Sequence, residues 1–134
     1  MAEITVEAQT IVNLTESEEK VRAAICNIFG NVSFTIQTEG KQSNLIAQAK
    51  GKDSLMKLRT LLRQDRIRDA SRKALLHSIR GETISFCLNK QVAAAGHISF
   101  SQQTAESPLG PIQITITTEN PRQLVEWLAE KTDR

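Results

Sequence analysis

From Asp53 to Arg80 the chain contains neither glycine nor proline, so nothing there breaks a helix. Leu55, Leu58, Leu61 and Leu62, then Ala70, Ala74, Leu75 and Ile79, recur at three- and four-residue steps, the spacing of one apolar helix face. The stripe falters between Gln64 and Arg68, where Asp65 and Asp69 can each cap a new helix. The spacing therefore predicts either two helices with a bend or one long rod, with Gly81 closing the second half.

Strand patterns flank this helical stretch. Residues 3–13 put Ile4, Val6 and Ala8 opposite Glu3, Thr5 and Glu7, the alternation of a half-buried strand. Thr15 to Glu18 fits a capping box for a helix carrying Val21, Ala24, Ile25, Ile28 and Phe29, with Gly30 as its left-handed end. Val32, Phe34 and Ile36 alternate as a second strand, and after the Glu39-Gly40 turn residues 44–49 form a third. Residues 83–89 and 97–101 read as strands, with 90–96 either extending one of them or looping. Turn signals fill 102–111, Ile112, Ile114 and Ile116 alternate as a last strand, and Asn120-Pro121 opens a closing helix with Leu124, Val125, Trp127 and Leu128 inward. The order β-α-β-β-α-α-β-β-β-α, with short links between strands, predicts one α+β domain over residues 1–134, a mostly antiparallel sheet with helices packed on a face.

Charge is unevenly placed. Residues 50–80 hold ten Lys and Arg against three Asp, a net of +7, while the rest of the chain holds seven Lys and Arg against twelve Asp and Glu, a net of −5. A polyanion partner is therefore expected at that segment. Arg59, Arg63 and Arg66 stand at i, i+4 and i+7, and Arg68 and Arg72 one turn apart, with Lys73 beside them. Such spacing lines up guanidinium forks that bind phosphate oxygens in pairs. The competing expectation is a solvated helix face in which Asp65 and Asp69 neutralise their neighbours.

Patterns for chemistry are missing. Gly51-Lys52 lacks the remaining residues of a phosphate loop, and no GxGxxG occurs. Cys26, Cys87, His77 and His97 are too scattered for a zinc site, and nothing orients His97 as a base for Cys87. Both cysteines read as buried free thiols and His77 as a helix-terminal residue. The carboxylates Glu16, Glu18, Glu19, Glu126 and Glu130 read as solvated. No enzyme activity, cofactor or metal is expected. No apolar run is long enough to span a membrane, and MAEITVEAQT lacks the basic start and apolar core of a secretory signal, so the expected location is the cytoplasm. With no Tyr, one Trp and four Phe, of which Phe34, Phe86 and Phe100 fall on strand positions that fit a core, the chain lacks the aromatic strands of an RNA recognition motif. Nucleic acid would be read through its backbone and shape.

The strings Leu62-Arg63-Gln64, Ile67 to Arg72, Phe86 to Ala93 with Gly96 and Ser99-Phe100, and Ser107 to Ile112 resemble a family of uncharacterised archaeal proteins with a predicted role in RNA binding and association with the exosome. The likeness covers nearly the whole chain. It implies a fold like that of the ribosomal protein that binds 5S rRNA, and it nominates Asn89, Lys90 and Gln91 as contacts to phosphate or ribose; the competing expectation is a loop whose Asn and Gln satisfy local backbone. The leading expectation is thus a non-catalytic RNA-binding protein using Arg59, Arg63, Arg66, Arg68, Arg72 and Lys73, with Lys90 assisting. The alternative is a docking or homodimerisation module of an RNA-processing assembly, without direct RNA contact.

Overall fold

A computed structural model describes residues 3–40, 42–64, 68–101 and 110–130. Strands β1 (Thr5–Val12), β2 (Ser33–Glu39), β3 (Gln42–Lys50), β4 (Ile79–Arg80), β5 (Thr83–Asn89), β6 (Phe100–Ser101) and β7 (Pro111–Thr117) form one sheet. Its order is β2-β3-β1-β7-β5-β4, with β6 also on β5, and every pairing among the described residues is antiparallel. Helices α1 (Glu18–Ile28), α2 (Met56–Gln64), α3 (Arg68–His77), α4 (Lys90–Ala94) and α5 (Pro121–Leu128) complete the α+β fold.

The period-two patterns decide which sheet face is covered. Val6, Ala8 and Val12 of β1, Leu45, Ala47 and Ala49 of β3, Ile112, Ile114 and Ile116 of β7, and Ile84, Phe86 and Leu88 of β5 join one buried cluster with Ile25, Ile28, Leu58, Leu62, Leu75 and Val125 of the helices. Thr10 is the polar member of that face; its hydroxyl donates to the Pro111 carbonyl at 3.0 Å, so its burial leaves no unmet hydrogen bond. The opposite face carries Thr5, Glu7 and Gln9, paired in register with Thr117, Thr115 and Gln113 on β7 and with Lys50, Gln48 and Ile46 on β3. That face is mostly polar, with Glu7 and Lys50 as charged members and Ile46 and Ile11 as apolar ones.

Several local expectations are revised. The N-cap of α1 is Ser17, whose hydroxyl accepts from Lys20 N, not Thr15. Glu16 is drawn away toward Asn13 and Lys90, so a turn precedes the helix and delays its start. The helix leaves through an extended Phe29, and Asn31, not Gly30, takes the positive φ of 56°. The long unbroken stretch is two helices after a 3₁₀ turn, Lys52–Leu55. The second ends at His77, and Gly81, with φ 62°, turns the β4–β5 hairpin as the first residue of a two-residue loop. Residues 90–94 are helical, neither strand nor loop, and the 97–101 strand shortens to β6. The expected turn residues 102–109 lie outside the described residues. The closing helix forms as expected, with the Asn120 side chain accepting from Gln123 N and proline in its first turn.

Candidate nucleic-acid interface

Leu58 and Leu62 anchor α2 to the core and Leu75 anchors α3, and that anchoring sets where the basic side chains project. Lys57, Arg63 and Lys73 are exposed; Arg59 and Arg72 are half-buried. Both helices pack on α5, which supplies acidic partners. Arg59 donates from Nε to the Trp127 carbonyl at 2.9 Å and from Nη2 to Glu130 at 2.8 Å. Arg63 lies 3.6 Å from the other oxygen of the same carboxylate, and Arg72 pairs with Glu126. Lys57 donates to the Cys26 carbonyl at the end of α1, at 2.9 Å.

The structure therefore gathers Arg59, Arg63 and Arg72 at α5. Arg66 lies outside the described residues, and Arg68 is described only as the first residue of α3. Glu126 and Glu130, expected on a solvated face, are the arginines' partners; they stand more than fifty residues away in sequence, where helical spacing on α2 and α3 carries no signal for them. These pairs are partly exposed and each contributes at most about 1 kcal/mol, so they damp the positive field without abolishing it. Trp127 is half-buried, not fully inward, and its ring carries two cations, Lys52 Nζ at 4.7 Å and the Arg59 guanidinium at 5.1 Å from the centroid.

The Asn89-Lys90-Gln91 string serves the fold. Asn89 caps α4, its side-chain oxygen accepting from Val92 N at 3.0 Å. Lys90 is buried: Nζ donates to the Ile11 carbonyl at 2.7 Å and to Glu16 at 3.0 and 3.3 Å. Its ammonium faces inward and offers nothing to a phosphate, a correction to the sequence expectation. Only Gln91 is exposed. Glu16, expected to be solvated, is the other half of this pair. Burial pushes its carboxyl up, but the Asn13 backbone N–H, Lys90 and the Asn13 side chain outweigh that and hold it below the ordinary value.

Both cysteines are free, and burial pushes the Cys87 thiol up, away from the thiolate a nucleophile needs. His77 is exposed at the end of α3. Among the described residues no group of His, Cys, Asp and Glu is placed to hold a metal ion, and no helix is long and apolar enough to cross a membrane.

These features define an α+β protein that covers one face of an antiparallel sheet with helices and carries its positive charge on two of them. The sequence model of a family described as RNA binding matches residues 5–118, and the chain belongs to that family. It is 46% identical to a UPF0201 protein of Sulfolobus acidocaldarius over 132 residues, 98% of this chain and 90% of that one. A crystal structure of an uncharacterized UPF0201 protein matches with a TM-score of 0.83 and 32% identity, covering 96% of this chain and 94% of that one. The UPF0201 protein of Methanococcus jannaschii matches with a TM-score of 0.84 and 27% identity, covering 96% and 95%.

Proposed function

We propose that the chain is a non-catalytic, cytoplasmic RNA-binding protein that holds structured RNA through its helical layer. The observation that carries this reading is the placement of the basic segment: Lys57, Arg63 and Lys73 are exposed on two successive helices in a chain whose family is described as RNA binding. Arg66 and Arg68, which follow α2 in the sequence, complete the proposed set. Arg59 and Arg72 hold α5 and keep the surface in shape. A place in an RNA-processing assembly such as the exosome, and a likeness to the 5S-rRNA-binding ribosomal protein, belong to the same proposal.

Three to five phosphate contacts give a log-log salt slope of about −3 to −4.5 on duplex RNA, taking the duplex DNA coefficient. The test is fluorescence anisotropy of a labelled RNA hairpin across salt concentrations, with Arg63→Ala, Lys73→Ala as the variant. Loss of two contacts should flatten the slope by about 2 and weaken all RNA sequences alike. An unchanged slope and affinity would overturn the interface.

One observation favours the docking reading. β2 is an outer strand of seven residues, paired only with β3 among the described residues, with no proline or lysine along it and with Ile36 37% exposed. Such an edge can pair with a strand of a second copy or of another protein. Light scattering that gives twice 14.9 kDa, on protein that binds no RNA after nuclease treatment, would move the conclusion there.

A further inference from the structure

Trp127, the chain's one tryptophan, borders an open cleft of about 710 Å³ between α5 and the 3₁₀ turn. That is within the range of about 300–1,000 Å³ typical of ligand sites. Lys52, exposed, holds its ammonium over the ring and makes no hydrogen bond or ion pair with the described residues. Arg59 is fixed differently, by Glu130 and by the carbonyl of Trp127 itself, so it steadies the indole. Asn120 and Gln123 stand on the same rim; Asn120 spends its side-chain oxygen on the α5 cap and keeps its amide N–H groups. Glu126, the acidic residue of the cleft, is paired with Arg72.

Of the two cations on the indole, Arg59 is held by Glu130 while Lys52 is exposed and otherwise unbonded among the described residues, so the ring is a stacking platform whose Lys52 cover can be displaced. An exposed cation–π contact is weaker than the stacking of a base on an indole. A base that takes the place of the ammonium also brings a phosphate for that ammonium to meet. We propose that this cleft is a subsite for one unpaired nucleotide, its base stacked on Trp127, its edge facing the amides of Asn120 and Gln123, and its phosphate on Lys52. The inference rests on the RNA-binding reading and goes beyond it, since contact with backbone and shape alone needs no unpaired base. A base inside a duplex cannot reach the ring, so the ligand class is a single-stranded segment, a loop or a free nucleotide.

Because the chain has one tryptophan, its intrinsic emission reports this cleft alone. The intact protein is titrated with an oligoadenylate of about ten nucleotides, with a fully paired RNA of similar length and with adenosine monophosphate, while anisotropy of the labelled oligoadenylate is followed in parallel. The expected result is saturable quenching by the single strand and none by the paired RNA. Lys52→Ala, on an exposed side chain, should weaken the quenching titration about tenfold, and Trp127→Leu should weaken binding seen by anisotropy. Quenching by adenosine monophosphate as strong as by the oligomer also supports the subsite and makes a free nucleotide its ligand. If the labelled strand binds while Trp127 emission stays constant, the subsite is wrong and the RNA reading stands. If neither signal responds to the single strand or the mononucleotide, the subsite is wrong, and the hairpin titration decides the RNA reading separately. Equal quenching by paired RNA overturns the unpaired-base assignment.

Discussion

Replacing Lys90 by methionine separates the two roles that sequence and structure give this residue. Methionine keeps most of the stem and removes the ammonium. In the native protein the Lys90 and Glu16 side chains are 4% and 9% exposed, and the ammonium satisfies the Ile11 carbonyl as well as the carboxylate. The variant leaves a buried carboxylate without its counter-charge and a carbonyl without its donor. Removing one partner of a buried ion pair costs about 3–5 kcal/mol. Glu16 keeps two hydrogen bonds, from the Asn13 backbone N–H at 3.0 Å and the Asn13 side chain at 2.8 Å, which places the cost near the lower limit, about 3 kcal/mol. Against a total stability of about 5–15 kcal/mol that is a large fraction, and it should lower Tm by about 10 °C in a chain of this size. Urea unfolding followed by far-ultraviolet circular dichroism measures it. Adding Glu16→Gln to Lys90→Met should recover part of the loss, because the orphaned charge goes with it. A Lys90→Met protein within about 0.5 kcal/mol of the native one, with weakened RNA binding, would refute the reasoning and restore Lys90 to the interface.

Two further outcomes follow from the same corner of the fold. Glu16 titrates below its ordinary value of 4.5 in the folded protein, so its contribution to stability is present above the unfolded value and is lost as pH falls through the folded one. The urea midpoint should drop on acidification below pH 4.5, with a shallower drop for Glu16→Gln; superimposable pH profiles would contradict the pairing. Asn89→Ala removes the α4 cap and should cost about 1 kcal/mol while leaving RNA affinity unchanged. A drop in affinity at constant stability would return Asn89 to the RNA surface.

What could be read in the sequence was what short-range physics decides. The alternation in β1 and β7 exposes its buried face directly, because the side-chain period of a strand is two. Asn120-Pro121 fixes the start of α5 with a cap and a preset φ, both local. α4 was unreadable for the opposite reason. Five residues with three small or branched apolar side chains carry too little periodicity to declare a helix. It forms where the Asn89 cap meets a docking surface on α1, including the Asn27 amide that donates to the Ala93 carbonyl at 2.9 Å. The start of α1 was misplaced because Thr15 and Ser17 are equivalent caps locally, and the choice is made by Glu16 turning to a lysine 74 residues away.

The same division between near and far governs the candidate interface. Helical spacing shows that Arg59 and Arg63 share a row, and they do, since both reach Glu130. It cannot show what the row faces, because the partner is 71 residues from Arg59. On the 3₁₀ turn, α2, α3, α5 and the residues directly after α5, the described cations Lys52, Lys57, Arg59, Arg63, Arg68, Arg72, Lys73 and Arg122 stand alongside Asp53, Asp69, Glu126 and Glu130, a net of +4, so the +7 of the segment overstates the field that a polyanion meets. A carboxylate on a guanidinium also occupies the geometry a phosphate would take. RNA therefore has to outcompete Glu130 for Arg59 and Glu126 for Arg72, or leave those two pairs closed and use only the exposed cations, Arg63 among them. The two cases differ in the number of phosphates neutralised, and the salt slope counts it. About −3 to −4.5 means the pairs stay closed, and a steeper value means α5 yields its arginines to the RNA.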